Sequence, residues 1–335
     1  MNGMQSKVWF AVFFRFGLAA CLAGAGGGRS KLGLHLIAHY TEAARLVVRA
    51  RPVVLKVLDP QASRAMQAAL LDYKKRVPDG ITVVRVWEGT GSIHFTLKDV
   101  PEEAASAFMG RVLEPALRRL PRAVARCVDF VEGPNEGESC PTWATVATAR
   151  WYGRFCAALC VRIAGAGFRP CIGAIAVGNP PGSPSEISAR LEAFVPALEA
   201  ARRCRGAWSY HAYTLKYTTD PGIESWYSLR YRRFHEYLAR RHPALARIPM
   251  LLTEAGVDRC GDRLHDGWRA RGSREKFTAW LAWFDGQLRQ DRYVLGATLF
   301  QSGDARGWPS FDVDPAASWL AGHIRNAAAA RPPRR

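Results

Sequence analysis

The 335-residue chain is poor in lysine and sparse in cysteine, and beyond its first 30 residues it has no long apolar run. Eight cysteines fall far below the density of a small disulfide-stapled domain. Glycine at 30 and proline at 20 are ordinary for a globular chain, which excludes collagen-like architectures. No later stretch approaches the ~20 apolar residues of a membrane-spanning helix. Familiar catalytic signatures are missing too. The eight histidines form no His-x-His and no His-Glu-x-x-His, and there is no Gly-x-Ser-x-Gly. The first apolar run, Gly33-Leu34-His35-Leu36-Ile37, supplies no Gly-rich phosphate turn, which argues against a doubly wound nucleotide-binding sheet. No cofactor and no metal are expected.

Only eight of the 47 basic residues are lysine, so arginine carries the formal charge of +18. Arg202, Arg203, Arg205, Arg230, Arg232, Arg233, Arg240 and Arg241 are scattered through candidate helices rather than clustered with interleaved aromatics. No nucleic-acid partner is therefore expected. The bias reads as a compositional habit of the source genome, with attraction to a polyanion such as an acidic polysaccharide or envelope surface as the alternative. At 48% hydrophobic and 11% aromatic, the chain can bury a large core.

Residues 1–30 differ from the remainder. Lys7 precedes the apolar run Val8–Phe14, Arg15 interrupts it, and Leu18-Ala19-Ala20-Cys21 resembles a bacterial lipobox. Ala23-Gly24-Ala25 alternatively suits a small-residue cleavage site. The expectation is export, to a secreted, periplasmic or lipid-anchored location, the anchor being at Cys21. A plain N-terminal extension would leave the chain cytoplasmic. A short basic tail occupies 329–335. Cys156 and Cys160, four apart on a candidate helix, read as small buried hydrophobes, while Cys140 and Cys260 lie in loops where a disulfide is conceivable.

Between 31 and 328, apolar runs alternate with helical patterns without a linker between domains. Strands are expected at Leu32–Ala38, Val53–Leu58, Ile81–Trp87, Cys127–Val131, Cys171–Val177, Ala207–His211, Pro249–Thr253 and Gly296–Phe300. Helices are expected at Gln61–Arg76, Ala104–Arg119, Thr145–Ala166, Pro184–Arg202, Ser225–Arg241, Arg274–Leu288 and Pro315–Asn326, with a short one opened by Thr41. Near-continuous apolar strands separated by helices imply a parallel sheet covered on both faces. Eight such units fit a single (β/α)8 TIM barrel, in which chemistry sits at the C-terminal ends of the strands.

Two strand ends carry carboxylates: Glu132-Gly133-Pro134-Asn135-Glu136 after the fourth, and Thr253-Glu254-Ala255-Gly256 after the seventh. A carboxyl pair across one cleft is what glycosidic cleavage needs, one group protonating the departing oxygen and the other attacking the anomeric carbon or activating water. This arrangement resembles the clan A retaining glycoside hydrolases, (β/α)8 barrels whose catalytic Glu residues end strands four and seven. The resemblance implies Glu136 as acid/base, Glu254 as nucleophile, and Asn135 as the neighbour that binds the sugar 2-hydroxyl. It further implies that His211 and Tyr213, closing the sixth strand, contact the nucleophile or the sugar, and that Arg85 steadies the nucleophile carboxylate. Glu132 matches the Glu-x-x-Asn-Glu spacing of several families of the clan, but reads, with Glu88 and Asp258, as a supporting or solvated carboxylate.

His35 lines the sugar site or is a core histidine. Trp87, Trp226, Tyr227 and Trp308 stack on sugars or pack ordinarily. The clan's strand-eight Trp is absent, and Phe300 replaces it or Trp308 folds back. The expected substrate is an oligo- or polysaccharide, acidic if the basic charge is used. The competing reading is a carbohydrate-binding barrel without turnover.

Overall fold

In the computed structural model, residues 28–304 and 307–329 are described. The export segment with Cys21 and the basic tail at 331–335 fall outside them. Among the described residues, eight parallel strands close a barrel in sequence order. They are β1 (Leu32–Leu36), β2 (Val54–Leu58), β3 (Ile81–Arg85), β4 (Phe130–Glu132), β5 (Arg169–Ile175), β6 (Ala207–Thr214), β7 (Met250–Val257) and β8 (Val294–Ser302). Every expected strand forms within a few residues of its expected place, so the single-domain (β/α)8 fold is observed.

Helices return the chain between strands: α1 (Glu42–Arg49), α2 (Arg64–Arg76), α3 (101–119), α4 (Val146–Gly165), α5 (Pro184–Arg203), α6 (Tyr231–Arg241), α7 (Arg274–Leu288) and α8 (Ala317–Ala329). Thr41 caps α1 by accepting from the Ala44 amide, and Thr145 and Ser183 open α4 and α5 with reciprocal capping boxes. Two helices depart from expectation. In α3 a π segment, Met109–Leu113, interrupts the α-helix just ahead of Pro115, which offers no N–H to the preceding turn. The helix expected from Ser225 begins only at Tyr231, because Asp220 caps a separate short turn at Pro221–Glu224 that ends before it.

Alternation along the strands sorts the side chains. On β2, Leu55 and Val57 join the large cluster beneath the helices, whereas Val54, Lys56 and Leu58 belong to the barrel side. The interior is consequently layered. Val54, Val83, Phe130, Cys171, Ala207 and Leu251 form an apolar plug. Above it lies a charged layer containing Lys56, Arg85 and Glu132, all buried. Ile37, Leu58, Tyr213, Phe300 and Phe311 form an apolar cluster of their own, which Trp308 packs against.

Cys156 and Cys160 are buried and unpaired, as expected. Cys140 and Cys260 are also unpaired, and the exposed Cys260 thiol instead donates to Asp266 Oδ2 at 2.9 Å. No helix among the described residues is long and apolar enough to cross a membrane.

Candidate active site

Two irregularities position the carboxyl groups. Register shifts on β6 and β7 bring His211 directly opposite Glu254, the kind of bulge that re-aims side chains near functional sites. After β4 the chain makes a tight turn, Asn135–Gly137, in which Glu136 adopts φ +47°, a left-handed conformation unusual for a residue with a side chain. Gly137 follows at φ +72°, and a Cβ there would meet Thr142 Cγ2 at 1.9 Å. Glycine is required at that point.

Glu254 is buried and densely held. Arg85 Nη1 donates to its Oε1 at 2.8 Å, and Tyr213 OH donates to its Oε2 at 2.8 Å. Lys56 Nζ lies 3.4 Å from Oε1, and His35 Nδ1 lies 3.8 Å from it. Burial opposes the charge on Glu254. The electrostatic pull of His211, Lys56 and Arg85 outweighs it and holds the carboxyl well below the usual carboxylate range. Burial, then Glu254 itself, pushes the Tyr213 phenol well up, so Tyr213 remains a donor.

Glu136 sits across the mouth with its side chain one-third exposed, against 8% for Glu254. Its one hydrogen-bond partner of those seen is His211, whose Nδ1 is 2.6 Å from Oε1 and 3.6 Å from Glu254 Oε2. Among Glu136, His211 and Glu254, one donor atom from each lies within 4.8 Å of the others. Such a trio is spaced to hold a divalent cation. With Lys56 and Arg85 already against Glu254, however, the charge a cation would neutralise is balanced by the protein.

The other expected residues divide. Asn135 accepts from Arg85 and donates to Glu138 Oε1 at 3.0 Å, so it links the arginine that holds Glu254 to the turn that carries Glu136. Trp87 is exposed beside Arg85, whose guanidinium lies 5.9 Å from its ring, and so offers a surface for stacking. Of the two alternatives for the strand-eight aromatic, Phe300 and Trp308, the structure places both rings together. Phe300 is buried edge-on against His35 at 5.5 Å and Tyr213 at 6.4 Å, and Trp308 packs edge-on against it at 5.3 Å. His35 is fully buried behind Glu254, and burial followed by Lys56 drives its imidazole well below the ordinary range, hence neutral. That places it as a wall of the charged layer rather than on the open mouth.

Trp226 is exposed and covered by Arg233 at 3.7 Å, while Tyr227 offers its carbonyl to Tyr210. Glu88 is an exposed partner of Arg119, and Asp258 is half-buried with its carboxyl turned to the amides of Arg259 and Gly261.

Lys56 was not anticipated. It is fully buried and ion-paired to Glu132 Oε2 at 2.7 Å as well as to Glu254. The signal was present in Val54-Leu55-Lys56-Val57-Leu58, a lone cation inside an apolar strand, since such a charge is stable only when paired. Removing one partner of such a pair costs about 3–5 kcal/mol.

No family model matches the chain, and no curated protein matches it. Solved structures do. A GH5-4 broad specificity endoglucanase from an uncultured bacterium is similar at a TM-score of 0.56 and 15% identity, over 95% of this chain and 98% of that one. A GH5-4 broad specificity endoglucanase from Clostridium longisporum is similar at 0.53 and 11%, over 93% and 99%. A structure of fungal beta-1,4-galactanases is similar at 0.50 and 7%, over 88% and 99%. The chain has the barrel fold seen in these glycoside hydrolases.

Proposed function

We propose that this chain is a retaining glycoside hydrolase acting on β-linked oligo- or polysaccharides, with Glu254 as nucleophile and Glu136 as acid/base. The observation that carries the reading is the carboxyl pair, with an oxygen of Glu136 and one of Glu254 within 4.8 Å across the mouth. Double displacement uses carboxyl groups about 5–5.5 Å apart, whereas inversion needs about 6.5–9.5 Å to admit a water between them. That the solved structures sharing this fold are named as endoglucanases and galactanases adds support.

In the first step a Glu254 oxygen bonds to the anomeric carbon as the bond to the leaving oxygen breaks, and Glu136 gives that oxygen a proton. In the second, Glu136 takes a proton from water, which attacks the anomeric carbon and frees Glu254. The ionised, donor-clamped Glu254 suits attack. His211, touching both carboxyl groups, suits the proton's change of hands at Glu136. The exposed Trp87 is proposed as a stacking surface, Asn135 and Arg85 as contacts that order the two walls, and Phe300 with Trp308 as the aromatic floor. The +18 formal charge makes glucuronides worth including among the sugars tried.

The test is the anomeric configuration of the first-formed product, followed by proton NMR on 2,4-dinitrophenyl β-glucosides, β-mannosides, β-galactosides and β-glucuronides. Retention is expected. An initial α-product would contradict the reading, and glycan binding without turnover of any sugar would favour a non-catalytic barrel.

A further inference from the structure

The proposed mechanism leaves two buried ions without a task. Glu132 and Lys56 lie inside the barrel with fully buried side chains, paired at 2.7 Å, and Lys56 reaches on to the nucleophile at 3.4 Å. Glu132 ends β4 four residues before Glu136, so the strand it closes leads directly into the turn that carries the proposed acid/base. Resting on the glycosidase reading above, we propose that Glu132 and Lys56 are a charge-balancing pair that sets how Glu254 divides its reactivity between forming and breaking the glycosyl ester.

The argument is a charge count in a closed space. The ions of the layer are Lys56 from β2, Arg85 from β3, Glu132 from β4 and Glu254 from β7, which sum to zero. Apart from the Glu136–His211 pair at the mouth, which every variant below retains, the remaining elements add nothing that changes the sum. His35 from β1 is neutral, and the Cys171 thiol from β5 is pushed well up by burial and by Glu132. From β6, Tyr213 is protonated and His211 is hydrogen-bonded to Glu136, and β8 contributes uncharged Phe300.

Forming the ester removes the charge on Glu254 and takes the layer from zero to +1. Without Glu132 the same step would run from +1 to +2. A more positive surrounding holds Glu254 more firmly as a free carboxylate, making it a weaker nucleophile and a better leaving group. Glu132 is thus a positioning residue acting through Lys56. It keeps the nucleophile attacking, at the expense of slower release of the sugar.

The experiment uses 2,4-dinitrophenyl 2-deoxy-2-fluoro-β-glycosides of the sugars named above. The dinitrophenolate burst reports ester formation, and recovery of activity after removal of excess reagent reports ester breakdown. Glu132→Gln is expected to slow the burst about tenfold and hasten recovery about tenfold. It should also move the acidic limb of kcat/KM to lower pH. Lys56→Met should shift both rates and the limb the other way. The double variant Lys56→Met/Glu132→Gln returns the layer's sum to zero, and its ratio of the two rates should return to within about threefold of the unsubstituted protein.

A purely structural role would slow both half-reactions together and would not be rescued by the double variant, and that result overturns the proposal. Should Glu132→Gln fail to fold, Lys56→Met read against the double variant decides: a ratio shifted toward ester formation in Lys56→Met and returned in the double variant supports the proposal, and an unshifted ratio in Lys56→Met overturns it. Labelling of unsubstituted Glu254 with unshifted ratios in the single variants overturns only the charge-balance proposal. Absence of labelling by every sugar removes the glycosidase reading and the proposal with it.

Discussion

Glu254 and Glu136 are one residue type on opposite walls of one mouth, and their surroundings differ. Glu254 lies in a strand, buried, with two donors at 2.8 Å and an ammonium at 3.4 Å. Glu136 lies on a strained turn, partly exposed, against a single histidine. The first environment holds a carboxylate in its charged form and in one place. The second leaves a carboxyl group open to solvent and to whatever stands in front of it. On the proposed reading, the two roles of these identical side chains follow from backbone placement, strand against turn, rather than from chemistry intrinsic to either.

The comparison is broken most severely by removing the buried member. Glu254→Gln is expected to lower kcat on 2,4-dinitrophenyl glycosides by at least about 10⁴-fold, because no group of the charged layer can take its place as nucleophile. Glu136→Ala should cost about 10²–10⁴-fold on substrates with poor leaving groups. On dinitrophenyl glycosides, which leave without a proton, its first step should be nearly intact. Added azide, which needs no general base, should then restore turnover and yield a glycosyl azide of retained configuration. Equal losses on both substrate types would mean that Glu136 is not the proton donor.

Weaker perturbations sharpen the contrast. Tyr213→Phe removes one donor from Glu254 and should lower kcat/KM about tenfold. The acidic limb should move to higher pH, since a carboxylate that loses a donor is more easily protonated. Glu254's folded-state value is depressed. Its ionisation therefore stabilises the native state above the unfolded-state value of about 4.3, and that contribution is lost progressively as pH falls through the depressed value. Thermal unfolding followed from pH 7 downward should show Tm declining below about pH 4.3, and less steeply in Glu254→Gln. On the other wall, Gly137→Ala forces a Cβ into Thr142 and should cost about 1–3 kcal/mol, read as a lower Tm, with the Glu136-dependent step suffering more than the Glu254-dependent one. The smallest effect concerns the scattered arginines. Intact protein should show no retention on immobilised DNA at about 150 mM salt.

The same contrast explains what could be read from sequence. The placement of Glu254 and Glu136 at one mouth was legible because each lies within a few residues of the end of an apolar run, and the barrel topology places such ends at one face. Strands were legible for the same reason, as apolar segments such as Val54–Leu58 and Met250–Leu252 cannot be solvated. Lys56 was not, because whether an odd or an even position of β2 faces the barrel axis depends on closure of all eight strands, which no single segment encodes. The break in α3 falls just ahead of Pro115, whose missing N–H apolar periodicity does not report. His35 could be placed on its strand but not in depth. Its neighbours Phe300 and Glu254 come from the far end of the chain, and only the closed barrel turns it from a mouth residue into a wall.

The measurement that tests the central claim most directly is peptide mapping after reaction with the activated 2-deoxy-2-fluoro glycoside panel, on the unsubstituted protein and on Glu254→Gln. The account predicts one sugar per chain, ester-linked to Glu254, and no adduct in the variant. An adduct on Glu136, or one that persists in Glu254→Gln, would contradict it.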